Sequence, residues 1–195
     1  MRTASKERNT KETKIKAKLN LDGSGKAKIN TGCGFLDHML TLFASHGKLD
    51  LEVNCKGDIE VDYHHTVEDV AIVIGALFKE ALGDKKGIVR YGNMILPMDE
   101  ALILTAIDFS GRSLLCYEAN IRAKKVGDFD TELAEEFWMA FVRSASCTLH
   151  IRQLAGRNSH HIIEGMFKSA ARSIRQAIAI DPEQKDNVPS TKGVL

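Results

Sequence analysis

An excess of charge of one sign, a long apolar run and closely spaced cysteines are all missing from this 195-residue chain, and each absence narrows what it can be. Lys and Arg number 27 against 26 Asp and Glu, a net charge of +1, so nothing draws the chain in bulk to nucleic acid or to an anionic membrane. No apolar stretch approaches the roughly 20 residues that a bilayer span needs. Met1 to Lys18 is basic and polar and lacks the apolar core of a secretory signal. The four cysteines (Cys33, Cys55, Cys116 and Cys147) show no Cys-x-x-Cys spacing, which fits reduced thiols in a cytoplasmic protein better than a disulfide framework. Asp22-Gly23-Ser24-Gly25 is glycine-rich, but it lacks the following helix and lysine of a phosphate-binding loop. With 44% hydrophobic and 27% charged residues, the chain is expected to be a globular protein with a sizeable core.

What is present is a doubled motif. His64-His65-Thr66-Val67-Glu68 returns 96 residues later as His160-His161-Ile162-Ile163-Glu164, and the two hold four of the seven histidines. Each opens a helical hydrophobic pattern. On a helix, residues i and i+4 share a face, so His64 with Glu68, and His160 with Glu164, can grip one ion. His65 and His161 are turned away by about 100° and should reach a second ion. Imidazole nitrogen combined with carboxylate oxygen suits Mn, Fe, Co or Zn better than Ca or Mg. A lone His-His pair is commonly accidental; two copies with carboxylates at matching offsets are not.

The repeat extends around the motif. Alternation over Ile15–Leu21, the turn at Asp22–Gly25 and resumed strand character over Lys26–Asn30 predict a β-hairpin. A helix follows over Phe35–Ser45, then a strand through Leu49, Leu51, Val53 and Cys55, then the motif helix His64–Leu82. In the second half a strand over Ala101–Phe109 turns at Ser110-Gly111 and returns through Ser113 to Tyr117. Asp130 or Thr131 is placed to cap a helix running to about Ser144. A strand at Cys147–Ile151 and a helix from His160 to about Ile180 complete the order. The halves span about 10–90 and 91–182, with a tail over 183–195. Helices on one face of a mostly antiparallel sheet are the economical solution for such a unit. His38 precedes the first motif on the first helix of its half, and Glu136 is its counterpart in the second, so these two complete the candidate ligand set. Asp99-Glu100, read as neighbours in a strand, point to opposite faces and form no acid–base pair.

The chain resembles the imidazoleglycerol-phosphate dehydratase family of histidine biosynthesis over nearly its whole length. The resemblance rests on Phe35-Leu36-Asp37-His38-Met39, Asp62-Tyr63-His64-His65-Thr66-Val67-Glu68-Asp69, Ser159-His160-His161-Ile162-Ile163-Glu164, Phe167-Lys168 and Pro189-Ser190-Thr191-Lys192-Gly193. It implies an α+β fold of two fused ferredoxin-like (ribosomal S5 domain 2-like) pseudo-repeats. It also implies a cytoplasmic hydro-lyase with two Mn2+ ions per active site. The implied assembly is a homo-oligomeric 24-subunit cage built from trimers, with active sites between chains. Nucleic acid and membrane are not expected partners. The implied reaction converts D-erythro-imidazole glycerol phosphate to imidazole acetol phosphate and water.

Carried over residue by residue, the resemblance implies metal ligation by His38, His64, His65, Glu68, His160, His161 and Glu164. Some family members have His where this chain has Glu136, which leaves the identity of that ligand open. Substrate contacts are implied for Glu12, His46, Arg90, Arg112, Lys168, Ser190 and Lys192. Arg offers a planar fork for phosphate oxygens, and Lys and Ser add donors. The chemical difficulty is a carbon-bound proton with no adjacent carbonyl. The implied route keeps the ring deprotonated between Lewis acids and expels the hydroxyl through a diazafulvene-like species. A carboxylate then moves the proton, with Glu164 the first candidate and Glu12 the second. A dinuclear phosphoester hydrolase is the main rival, and the carboxylate-poor ligand set argues against it. Histidines acting only as structural staples of an oligomer are the other.

Overall fold

The structure, a computed structural model, describes residues 2–193 and 195. Its first half runs β1 (Thr3–Asn9), β2 (Thr13–Asn20), β3 (Ala27–Asn30), α1 (Gly34–Gly47), β4 (Asp50–Gly57) and α2 (His64–Leu82). The second runs β5 (Tyr91–Met98), β6 (Ala101–Asp108), β7 (Leu114–Glu118), the short strands β8 (Lys125–Val126) and β9 (Phe129–Asp130), α3 (Leu133–Ala145), β10 (Thr148–Ala155) and α4 (Ser159–Ala177). The sheet orders are β1-β2-β4-β3 and β5-β6-β10-β7. Apart from the small β8–β9 hairpin, the second is the first repeated, and the fold is α+β.

Strand pairing departs from the sequence reading. The predicted hairpin of β2 with β3 does not form; β3 instead runs parallel to β4, with Ala27 opposite Leu51 and Asn30 opposite Asn54. Both edges of β2 are taken by longer antiparallel partners, β1 and β4. The second half repeats this, with β7 parallel to β10 and β6 lying between β5 and β10. A glycine-rich turn marks where a chain bends, whereas period-two alternation says which face is buried and nothing about the partner. The edge strand β1 gives little hydrophobic signal because Ala4 is its one buried residue. The cap expected at Asp130 or Thr131 is absent too: the residue before α3 is Glu132, with no side-chain cap, and the Thr131 hydroxyl donates to the carbonyls of Ala123 and Lys124.

Each sheet buries its inner face under its own two helices, and the halves meet helix to helix, α1 against α4 and α2 against α3. The junction is aromatic. Phe43 from α1, Phe78 from α2, Trp138 and Phe141 from α3 and Phe167 from α4 are all fully buried, with ring centroids across the junction 6.1 Å apart for Phe43–Trp138 and 5.4 Å for Phe78–Phe141. Close approach is set by small residues. A Cβ on Gly75 of α2 would stand 2.5 Å from the Phe141 carbonyl oxygen of α3. One on Gly92 of β5 would overlap the Ser173 carbonyl oxygen of α4. Gly92→Ala should therefore lower the denaturant midpoint by an amount equivalent to about 1–3 kcal/mol. An unchanged midpoint would show that β5 can move off α4 freely.

Candidate metal centre

A side-chain oxygen meets the backbone at the start of each motif. The Asp62 carboxylate accepts the His64 backbone N–H at 2.7 Å, and the Asn158 side chain accepts those of His160 and His161 at 2.9 and 3.3 Å. Both acceptors lie two residues before the motif, but only Asn158 is the N-cap that fixes where its helix begins; the N-cap of α2 is Tyr63, which makes no side-chain cap. The first histidine and the glutamate of each motif then share a helix face.

The pairing of α1 with α4 brings His38 to the second motif. Its Nε2 lies 3.3 Å from Glu164 Oε2, and His160 Nε2 lies 3.1 Å from the same oxygen. One donor atom from each of the three lies within 4.8 Å of the others. Donors about 2.1 Å from a shared ion and at right angles to each other stand about 3 Å apart, so the spacing fits a metal. The donor set is that of a borderline transition ion with coordination positions to spare. Phe35 meets the His160 ring edge-on at 5.3 Å and restrains it. Lys168 Nζ lies 2.5 Å from Glu164 Oε1. Burial alone would raise the Glu164 carboxyl, but the Lys168 hydrogen bond and charge, with His160 and His38, hold it below the ordinary carboxylate value.

The first motif is more open. His64 Nε2 and Glu68 Oε2 are 3.9 Å apart, and the Glu68 side chain is 38% exposed against 8% for Glu164. Glu136 lies half-buried on α3, the helix packed on α2. Among the described residues no hydrogen bond or ion pair joins it to His64 or Glu68, and the one metal-capable group of three is His38, His160 and Glu164.

His65 and His161, the turned-away histidines, join neither group within the chain. His65 Nδ1 bonds Asp58 Oδ2 at 2.9 Å, and its Nε2 lies 3.6 Å from Glu12 Oε1. His161 Nδ1 bonds Glu100 Oε2 at 2.8 Å, and its Nε2 lies 3.7 Å from Asp99 Oδ2. The hydrogen bond to Asp58 raises the His65 pKa, and that to Glu100 raises the pKa of His161. His161 and the backbone N–H groups of Asn158 and Arg157 together lower Glu100 to about 2. The reading of Asp99 and Glu100 as strand neighbours on opposite faces is thus corrected. They form the turn between β5 and β6, with Asp99 at φ 50°, and both face His161. Neither Asp58 nor Glu100 stands out as a histidine partner in the sequence: each lies outside a regular element, Glu100 is 61 residues from His161, and Asp58, though seven residues from His65, is separated from it by a turn that no periodicity describes.

The candidate phosphate contacts divide into two groups. Arg90 donates to Asp108 at 2.7 Å and to the Pro189 carbonyl at 2.9 Å, and Arg112 lies 3.7 Å from the same Asp108. Ser190 joins Arg90 in lining an open cleft of 780 Å³, and the exposed Lys192 follows, its backbone N–H on Ser190 Oγ. Lys168 belongs instead to the Glu164 group. His46 sits eight residues after His38 on α1, half-buried, and burial followed by the Arg172 and Lys168 charges lowers its pKa. Glu12 is exposed in the turn between β1 and β2. That turn is pinned by Thr10 Oγ1, which accepts the backbone N–H groups of Glu12 and Thr13, and by buried Asp69, which takes the Thr13 hydroxyl and an ion pair from Arg8.

Burial pushes the Cys55 and Cys147 thiols up, to about 11 and about 12, so both are inert core groups. No helix among the described residues is long and apolar enough to cross a membrane.

A family model described as imidazoleglycerol-phosphate dehydratase matches residues 31–174. The chain is 54% identical over 195 residues to the imidazoleglycerol-phosphate dehydratase of Methylorubrum extorquens, covering all of both chains. It is 56% identical over 194 residues to that of Desulforamulus reducens, covering all of this chain and 98% of the other. The crystal structure of the Staphylococcus aureus imidazoleglycerol-phosphate dehydratase superposes with a TM-score of 0.84 at 43% identity, covering 92% of this chain and 99% of that one. A Pyrococcus furiosus IGPD in complex with (S)-C348 gives 0.84 at 36% identity, covering 97% and 100%.

Proposed function

This chain belongs to the imidazoleglycerol-phosphate dehydratase family, and from that premise we propose how its residues carry out the dehydration of imidazole glycerol phosphate to imidazole acetol phosphate in histidine biosynthesis. The observation that carries the metal reading is the convergence of His38, His160 and Glu164 from two helices of different halves. We assign these three to one Mn2+ ion and His64 with Glu68 to a second, Glu136 being the third candidate there. Held by these residues, Mn2+ would supply Lewis acidity that favours the deprotonated imidazole ring.

Distance argues for an active site shared between chains. Arg90 bonds through its backbone to the Ala177 carbonyl, at the far end of α4 from Glu164. Thirteen helical residues are about 20 Å, far more than a three-carbon glycerol chain spans, so the phosphate group of one chain and the metal group of the same chain cannot serve one molecule. His65 and His161 face outward and are available to a neighbour. The two sheets differ in a way that favours self-association. Sheet one exposes Lys14, Lys16 and Lys18, whereas sheet two exposes Tyr91, Ile95 and Leu114 at 53–56%, an apolar face suited to a second copy. A cage of 24 chains built from trimers, working in the cytoplasm, is the assembly we propose.

For the proton transfer we assign Glu12 rather than Glu164. Glu164 is engaged by Lys168, His38 and His160, whereas the Glu12 carboxylate is exposed on a turn pinned by Thr10, Thr13 and Asp69. Arg90, Arg112, Ser190 and Lys192 hold the phosphate, with His46 and Lys168 near the metal end. Holding the remote phosphate fixes the reacting carbon in place. Lys192→Ala should raise KM for the phosphorylated substrate about 10-fold or more, the loss of one charge-assisted hydrogen bond. An unaltered KM in steady-state assays would make the tail a bystander. The deciding experiment is turnover of imidazole glycerol phosphate by chelator-stripped protein with and without added Mn2+. Ketone product that depends on Mn2+ supports the reading, and full activity without metal refutes it. Phosphate release without ketone would point to the hydrolase instead.

A further inference from the structure

The outward-facing histidines share a feature that the repeat does not explain. In both, the same nitrogen, Nδ1, is taken by a carboxylate, at 2.9 Å in one half and 2.8 Å in the other. The carboxylates come from different elements. Asp58 directly follows β4, whereas Glu100 directly precedes β6. The first-half position matching Glu100 is Glu12, which directly precedes β2 and lies on the Nε2 side of His65. In the second half the residue directly following β10 is Gly156, which has no side chain to offer. What the halves have in common is therefore the orientation of the imidazole and not the residue that sets it.

Neither carboxylate is accounted for by its local surroundings alone. Asp58 Oδ1 is buried with no hydrogen-bond partner, so the bond that its other oxygen makes to His65 is the interaction that holds it. Glu100 is locked by the backbone N–H groups of Asn158 at 2.7 Å and Arg157 at 3.1 Å, which aims its second oxygen at His161. A carboxylate on Nδ1–H fixes the tautomer, turns the Nε2 lone pair outward and makes it a better donor to a metal.

We propose that Asp58 and Glu100 are positioning residues that present His65 Nε2 and His161 Nε2 to the metal groups of neighbouring chains, and that Asp58, by serving His65, leaves Glu12 free for proton transfer. This rests on the reading that the two histidines are ligands across chains. The two halves thus orient the imidazole alike with unequal carboxylates: Glu12 and Asp99 lie on the Nε2 side, 3.6 and 3.7 Å away, and Asp58 spares Glu12 the Nδ1 bond that its counterpart Glu100 makes.

The test uses Asp58→Asn and Glu100→Gln in the full chain, which keep shape and remove charge. Free Mn2+ is followed by electron paramagnetic resonance during titration of the stripped protein, alongside turnover. Each variant should bind Mn2+ about 10- to 100-fold more weakly, with turnover regained at high Mn2+ and KM for the phosphorylated substrate within about twofold of the parent. A general loss of structure would not be repaired by Mn2+. Asp58→Glu, which restores the charge, should recover part of the affinity. Glu12→Gln should leave Mn2+ binding unchanged while turnover falls. Parent-like Mn2+ affinity in both charge-removed variants overturns the proposal alone. An equal loss of affinity in Glu12→Gln overturns its second half. A parent chain that binds no Mn2+ overturns the proposal together with the metal reading beneath it.

Discussion

If His38, His160 and Glu164 hold one of two Mn2+ ions, as proposed, His160→Ala is expected to lose that ion and to lower turnover by about a thousandfold. The imidazole supplies one of three donors in the group formed with His38 and Glu164, and its Nε2 is 3.1 Å from the shared carboxylate oxygen. Alanine leaves two donors from the same chain, and no other His, Cys, Asp or Glu among its described residues joins that group. Lewis-acid stabilisation by a bound ion contributes several kcal/mol to the barrier, and about 4 kcal/mol corresponds to roughly 10³ in rate. The fold should survive, because the His160 side chain is 41% exposed. Mn2+ per chain measured after dialysis, together with turnover, checks this. Loss of turnover with two ions still bound would refute the ligand assignment, and His150→Ala, on an exposed strand position, is the matched control.

Phe78→Ala should produce the largest loss of stability, about 3–5 kcal/mol. Its ring lies 6.2 Å from Phe43 of its own half, and 6.4 Å from Phe109 and 5.4 Å from Phe141 of the other, the last two joining the halves. Its relative exposure is 0%, and Gly75, less than one turn earlier on α2, already brings α2 and α3 into backbone contact. The helices therefore have little room to collapse into the vacated volume, and the cavity adds to the lost transfer energy. Against a typical total of about 5–15 kcal/mol, such a loss is severe. Denaturant unfolding at fixed protein and Mn2+ concentration would show it as a lower midpoint. A change under about 1 kcal/mol would mean that the two halves are held together elsewhere.

Local patterns in the sequence carry much of this. Strict alternation exposes β2 and β4, helical spacing exposes α1 and α2, and the 96-residue return of His-His-x-x-Glu exposes both the duplication and the donor chemistry. The parallel placement of β3 and β7 is hidden, because alternation is blind to the neighbouring strand. Asp58 and Glu100 are hidden for a related reason. A loop carboxylate has no periodicity, and its distance along the chain from a histidine says nothing about its distance in space.

The sequence by itself determines which side chains share a helix face, since the 3.6-residue period places His160 with Glu164 and turns His161 away. Only the tertiary structure decides that His38 joins the second motif and not its own, that Glu136 sits on the helix facing the first, and which imidazole nitrogen faces outward. The physical reason is that a helix periodicity is a property of one segment. Pairing α1 with α4 and α2 with α3 follows from burying the aromatic surface that each half leaves open, a condition met only when both halves are folded together.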